Sequence, residues 1–321
     1  MYWRRRITLL LALAMIGAIA AMLIAHDEGT RPVEAAATPG PLPTAGPAAI
    51  GGQGTAPSPL AVRLDDPVDT VRMEFKHPPR AGLMFDLDTG RVLWRRKPSR
   101  VLPIASLTKM MTALLVAERI PRGARVPITR ETLRYTGSGV GLFKRGKRIR
   151  VETMLHGLLL PSGNDAAIAL AQRAAGGSVN RFVRYMNEKA EQLGLVCTHF
   201  STPSGFSDKD NHSCAADLAA IGRAVLREPR LANIVSKREA VLPFPIKGGK
   251  LYLYNHNPLL RQGYPGTTGI KTGFTDAAGQ CLVATARRGP VKLGVVLLDS
   301  PNPGKQATQL LDRGFKASAA H

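Results

Sequence analysis

The sequence predicts a mixed α/β domain in which strands from the two ends of the chain share one antiparallel sheet flanked by helices. Two observations predict it. A short extended pair begins near residue 81 and three extended runs joined by short turns lie beyond residue 268, whereas the stretch between them is dominated by helix-like segments. No internal repeat interrupts this order.

Taken in order, Ala81 to Leu87 is an apolar run, Asp88-Thr89-Gly90 is a turn, and Arg91 to Arg95 completes a β-hairpin. Ser106 to Arg119 lacks Pro and Gly and is rich in Leu, Met and Ala, which favour helix. Val151 to Leu160 reads as a helix stopped by Pro161, and Asn164 to Ala175 resumes one. Val179, Phe182, Val183, Met186, Ala190 and Leu193 recur at helical spacing, and Gly194 suits a C-terminal cap. Ser213 is placed as the cap of a helix reaching about Arg227. Gly269 to Thr275, Gln280 to Arg287 and Val291 to Asp299 read as strands, the first turn being Asp276 to Gly279. A final helix is expected from Lys305 to Phe315.

The segment before this body has a different character. Arg4, Arg5 and Arg6 precede an uncharged run from Ile7 to Ala25, closed by His26, Asp27 and Glu28. The run is long enough to span a bilayer core of ~30 Å, and the flanking charges place the N-terminus inside and the rest outside. An uncleaved membrane anchor is expected over 1–28. A cleaved signal peptide is the alternative, with small-residue sites such as Ala18-Ile19-Ala20. Either reading exports the body. Residues 29–75, rich in Pro, Gly, Ala and Thr for most of their length, read as a flexible linker, and 76–321 as the folded domain.

The 321 residues carry a net charge of +21, and residues 1–66 contribute none of it on balance. The basic character therefore belongs to the exported body. This disfavours nucleic acid as a partner and favours an anionic envelope surface or a merely solvated basic one. Three cysteines exclude a disulfide-framework fold.

Three motifs carry chemistry. Ser106-Leu107-Thr108-Lys109 opens a helix, so the serine and lysine share a face. A serine hydroxyl becomes nucleophilic when a base takes its proton. A lysine serves as that base only when burial or a nearby cation lowers its pKa, and Leu107, Met110 and Met111 supply apolar surroundings. Ser162-Gly163-Asn164 follows Pro161 at the next helix start, where a hydroxyl can relay a proton and an amide can hold a peptide backbone. Lys271-Thr272-Gly273 lies on a strand, where a cation and a hydroxyl suit a carboxylate, and the glycine leaves room for an extended peptide. Each motif alone reads as an ordinary cap or strand; the trio together is the signature of penicillin-recognising serine enzymes.

On these motifs the body, from about Arg80 to Phe315, resembles the D-alanyl-D-alanine carboxypeptidases, the low-molecular-mass penicillin-binding proteins. The resemblance extends to Ala105–Thr112, Pro161–Ala166, Asn255–Leu260 and Gly269–Leu282. It implies a β-lactamase/transpeptidase-like fold with a helical subdomain. Ser106 would be acylated, Lys109 would be its base and Ser162 would relay protons. Asn164 would bind the donor peptide, Lys271 and Thr272 the terminal carboxylate. Gly273 keeps the strand open, and the backbone N–H groups of Ser106 and Phe274 would form an oxyanion hole. The implied substrate is a peptidoglycan stem peptide ending in D-Ala-D-Ala, β-lactams are implied covalent inhibitors, and no cofactor or metal is needed. The expected setting is the outer face of a bacterial cytoplasmic membrane.

Alternatives of three kinds stand beside this. Endopeptidase action on wall cross-links would use the same site. A class A β-lactamase would want a Glu-x-x-Leu-Asn loop, but Glu228-Pro229-Arg230-Leu231 is followed by Ala232 and reads as a helix end. A non-catalytic wall- or penicillin-binding protein would keep the pocket without turnover. The mirror pair Cys197-Thr198-His199 and His212-Ser213-Cys214 admits a zinc site, but a Cys197–Cys214 disulfide suits an exported chain better. Cys281 is expected as a buried thiol, and His256 as structural.

Overall fold

The computed structural model describes residues 58–65, 70–206, 210–245 and 248–319. The apolar run 7–25 and most of the proposed linker lie outside them. Among the described residues, no helix is long and apolar enough to cross a membrane.

Strands β1 (Ala81–Asp86) and β2 (Val92–Arg96) form the expected hairpin. Its turn is tied by Asp86 Oδ1, which accepts from the backbone N–H groups of Asp88 and Thr89 at 3.1 and 2.7 Å. A short strand β3 (Leu102–Pro103) leads to a 3₁₀ turn, Ala105–Thr108, and then α1 (Lys109–Arg119). A two-stranded ribbon of β4 (Arg125–Pro127) and β5 (Arg148–Arg150) precedes α2 (Val151–Leu159), α3 (Asn164–Ala174) and α4 (Val179–Gln192). Helix α4 buries Phe182, Met186 and Ala190 on one stripe, as the spacing predicted.

Next come β6 (His212–Ser213), α5 (Ala215–Arg227), α6 (Pro229–Val235) and the hairpin β7 (Glu239–Pro243) with β8 (Lys250–Tyr254). Ser213 does not cap α5. It pairs with Leu102 in a short ladder, and Cys214 takes the cap position without a side-chain bond. Glu228 ends α5 and caps α6, its carboxylate accepting from the Arg230 N–H at 3.1 Å. The chain closes with α7 (Pro258–Gln262), β9 (Thr267–Thr275), β10 (Gly279–Arg288), β11 (Val291–Leu298) and α8 (Pro303–Ser318).

The main sheet has the order β2-β1-β11-β10-β9 and is antiparallel throughout. β1 thus pairs with β11 from the far end of the chain, as the distribution of extended runs predicted. The period-two alternation of strands gives the sheet two apolar faces. One, with Leu83, Phe85, Val283 and Val296, packs on the helical body around Met110, Leu155 and Leu218. The other, with Met84, Leu282, Val295 and Leu297, is covered by Leu310, Leu311 and Phe315 of α8. This is the three-layer arrangement of a sheet that must be shielded on both sides.

The described end of the proposed linker is packed rather than free. Leu60 and Val62 are buried in the main core. Arg223 crosses from α5 to donate to the carbonyls of Leu60, Ala61, Leu87 and Asp88 at 2.7–2.9 Å. Further on, the Val71 N–H donates to Leu93 O at 2.9 Å and the Trp94 indole N–H to Met73 O at 3.1 Å. Residues 58–65 and 70–75 therefore lie against the domain that was expected to start at 76. Their apolar residues are few and widely spaced, so no periodic pattern marked them.

Candidate active site

Ser106 sits in the 3₁₀ turn that feeds α1, not inside the helix itself. The preceding Ala105 has φ +47°, a left-handed conformation that turns the chain sharply at this point. Lys109 follows as the first residue of α1 and is fully buried. Its Nζ lies 2.8 Å from Ser106 Oγ, 2.7 Å from Asn164 Oδ1 and 2.7 Å from the Ser204 carbonyl. The carbonyl oxygens of Asn164 and Ser204 can only accept. They engage two N–H bonds of the amine, so a neutral Lys109 aims its lone pair at the serine hydroxyl. Burial holds the Lys109 pKa well below the ordinary lysine value, and the nearby Lys271 lowers it further; Asp165 opposes them. Both conditions named for a lysine base, desolvation and a neighbouring cation, are therefore present.

Ser162 and Asn164 bring the second motif to the same place. Ser162 has φ +64° and a buried hydroxyl with no hydrogen-bond partner among the described residues. Burial of a hydroxyl without a bond costs free energy, and a left-handed backbone adds to that cost, so Ser162 stands out beside Ser106 in the cleft. Asn164 bridges the layers: its Oδ1 meets Lys109 and its Nδ2 donates to Thr136 O at 2.6 Å. Asp165 holds the loop that covers this corner, accepting from the N–H groups of Val140, Gly141 and Ala166 at 2.7–3.0 Å.

The third motif lies on β9, an edge of the sheet. Alternation sends Lys271 and Gly273 inward and leaves Thr272 and Phe274 less buried, Phe274 being 62% exposed. A Cβ at Gly273 would stand 2.9 Å from Ile104 O and 3.2 Å from Ser106 N, so only glycine lets the strand approach Ser106 this closely. Lys271 is not on an open edge. It is 1% exposed, and burial lowers its pKa to about 7. Its Nζ donates to Thr272 O at 2.8 Å.

Ser106, Ser162, Thr272, Gly273 and Phe274 line one cleft of about 320 Å³, so the structure brings the three motifs together. Ser138 and His256 line it too. Sequence reasoning set His256 aside as structural and passed over Ser138, Asp165 and Ser204. An aspartate directly after Asn164 at a helix start was the one legible signal among these; Ser204 contributes only its backbone carbonyl.

Cys197 and Cys214 are joined in a disulfide, with Cα atoms 5.6 Å apart. Asp217 lies beside the pair and accepts from the Cys197 N–H and the Thr198 hydroxyl, each at 2.7 Å. His199 and His212 face each other as a backbone pair. Cys281 is a buried thiol in β10.

A serine in a turn, bonded to a buried lysine, with a second serine and a Lys-Thr-Gly edge strand across one cleft, defines the active-site-serine peptidases that recognise penicillin. A family model described as D-alanyl-D-alanine carboxypeptidase matches residues 70–302. The chain belongs to the D-alanyl-D-alanine carboxypeptidase family. It is 32% identical over 256 residues to "D-alanyl-D-alanine carboxypeptidase DacF" of Bacillus subtilis, covering 77% of this chain and 65% of that protein. It is 36% identical over 246 residues to DacB2 of Mycobacterium tuberculosis, covering 74% and 82%. A solved D-alanyl-D-alanine carboxypeptidase from M. tuberculosis superposes with a TM-score of 0.71 at 34% identity, covering 78% of this chain and 95% of that one. A Streptomyces DD-transpeptidase, solved as a point mutant, gives 0.71 at 29% identity, covering 76% and 100%.

Proposed function

We propose that the protein is a serine-type D-Ala-D-Ala carboxypeptidase that trims peptidoglycan stem peptides through an acyl-enzyme on Ser106. The observation that carries this reading is the Lys109 amine, buried, 2.8 Å from Ser106 Oγ and with its other two contacts to acceptors only. Neutral Lys109 takes the Ser106 proton as Oγ attacks the carbonyl of the penultimate D-alanine. The backbone N–H groups of Ser106 and Phe274 meet the developing oxyanion; loss of one such donor typically costs about 10²–10³ in rate. The C–N bond then breaks as Ser162 relays the proton held by Lys109 to the departing amine of D-alanine, which returns Lys109 to its neutral form. Asn164 steadies the donor backbone, while Thr272 and the Lys271 cation receive the terminal carboxylate. Water, deprotonated by the same Lys109, releases the trimmed peptide. β-Lactams would acylate Ser106 by the same attack.

Release of D-alanine from a peptide ending in D-Ala-D-Ala tests the proposal. Wild type should release it and Ser106→Ala should not; a wild type that binds penicillin at Ser106 yet releases no D-alanine would refute it. Endopeptidase action is a second reading, supported by 37% identity over 241 residues to a "D-alanyl-D-alanine endopeptidase" of Pseudomonas aeruginosa. The setting we propose is the outer face of the cytoplasmic membrane, with residues 7–25 as anchor. Fractionation of the full chain checks this, and recovery wholly in the soluble fraction would contradict it.

A further inference from the structure

His256 belongs to two clefts. It lines the one that holds Ser106, and it also lines a second of about 730 Å³ formed with Arg238, Glu239, Tyr254, Asn255 and Arg261. The segment that carries it is rigidly built. Asn255 is buried and donates to the carbonyls of Val235 and Lys237 at 3.2 and 2.9 Å, while its Oδ1 accepts from the Asn257 N–H at 2.9 Å. Asn257 is buried as well and caps α7 at the Leu259 N–H. Two buried asparagines thus fix the backbone on both sides of an exposed histidine.

The second cleft is cationic on one side. Arg238 and Arg261 are exposed, and among the described residues neither forms an ion pair, although Glu239 lies in the same cleft. Tyr254, 60% exposed, adds an apolar wall. Burial and the positive charges of Lys271 and Arg261 lower the His256 pKa. The second cleft therefore adjoins the Ser106 cleft at His256.

We infer that this second cleft is a subsite for an additional carboxylate on the leaving side of the scissile bond, so that leaving residues larger than D-alanine and carrying an acidic side group are also substrates. The inference rests on the proposed function, because that reading sets which end of the groove holds the leaving residue. A D-alanine would stop at Thr272. A longer acidic residue would continue past His256 and place its second carboxylate between Arg238 and Arg261, where guanidinium groups offer paired donors. The bond cleaved and the proton delivered remain those of the parent reaction.

The test uses N-acylated peptides ending in D-Ala-X. X is D-alanine, D-glutamate or D-glutamine, with D-2-aminoadipate and its side-chain amide as a longer pair. For at least one pair the wild type should show kcat/KM at least fivefold higher for the acid than for its isosteric amide, expressed mainly in KM. Raising salt from ~50 to ~500 mM should shrink that ratio, since the attraction is between exposed charges. In Arg238→Gln/Arg261→Gln the ratio should fall to about one, and Arg261→Lys should restore part of it. Because each ratio is taken within one protein, a general loss of activity cancels. No preference for the acid in wild type, or a preference unchanged in the double variant, would overturn the inference. Absence of D-alanine release from the parent peptide would instead refute the proposed function.

Discussion

Replacing Gly273 by alanine adds a methyl group where β9 passes the nucleophile. That carbon would stand 2.9 Å from Ile104 O, 3.2 Å from the Ala105 Cβ and 3.2 Å from Ser106 N. Ordinary C···O contacts lie at ~3.3–3.6 Å, so the strand must retreat by roughly 0.5 Å or the Ser106 turn must yield. Neither is free: Ala105 is already left-handed, and β9 is held by its ladder with β10. The retreat separates the two backbone N–H groups proposed to hold the oxyanion, one on each side of the gap. A shift of this size should lower Ser106 acylation about 10²-fold, in line with the loss of an oxyanion donor or a comparable misplacement. Overpacking should cost ~1–3 kcal/mol of stability. Stopped-flow acylation by a fluorescent penicillin, with urea unfolding in parallel, measures both. Gly123→Ala is the control, because a Cβ there meets nothing within 4 Å. Acylation of Gly273→Ala within threefold of wild type would refute the claim that the glycine sets the approach of the strand to the serine.

Further outcomes follow from the same geometry. Lys271 keeps its proton only to about pH 7 when folded, against 10.5 ordinarily, so between these values the unfolded chain holds more protons and stability rises with pH. Urea unfolding at pH 7.5 and 9.0 should show this rise, and Lys271→Met should diminish it. The same variant removes a charge that lowers the Lys109 pKa, so the acidic limb of the acylation rate should move to higher pH. Breaking the Cys197–Cys214 bridge, which closes a 17-residue separation, should cost ~3 kcal/mol in denaturant titrations, and alkylation of the unreduced, unfolded protein should label Cys281 alone. Asp165→Ala should release the loop at Val140 and Gly141, costing ~2 kcal/mol or more and slowing acylation, as read by unfolding and the penicillin assay together.

Legibility in the sequence followed the range of the interactions. The Ser106–Lys109 spacing could be read because one turn of helix fixes it, and the 3₁₀ geometry actually present preserves the contact at 2.8 Å. What lowers the Lys109 pKa, its burial and the nearby Lys271, could not be read, nor could what orients its amine. Its acceptors come from positions 164 and 204, brought in by α3 and by a loop held at the Thr112 hydroxyl, which donates to Pro203 O at 2.7 Å. The Lys-Thr-Gly strand was legible as a strand, but the burial of its lysine depends on which face of β9 meets the helices. Ser213 looked like a helix cap because it stands just before the apolar, Ala-rich run that follows Cys214; the tertiary pairing with Leu102 overrides that preference. The packed stretch 58–65 escaped notice because its binding is supplied from Arg223, more than 150 positions away.

The pairing of β1 with β11 has a temporal meaning. Ala81 must wait for Leu298, roughly two hundred residues later, before the centre of the sheet can close. Such distant pairing is slow, since the loop-closure cost falls before any contact repays it. The nucleophile turn is made early in synthesis, whereas β9 and its neighbours arrive last. A chain still emerging therefore carries Ser106 without the strand that would activate the site. Competence to cleave should therefore await the completed sheet, and a protein cut short before β11 is complete is expected to release no D-alanine.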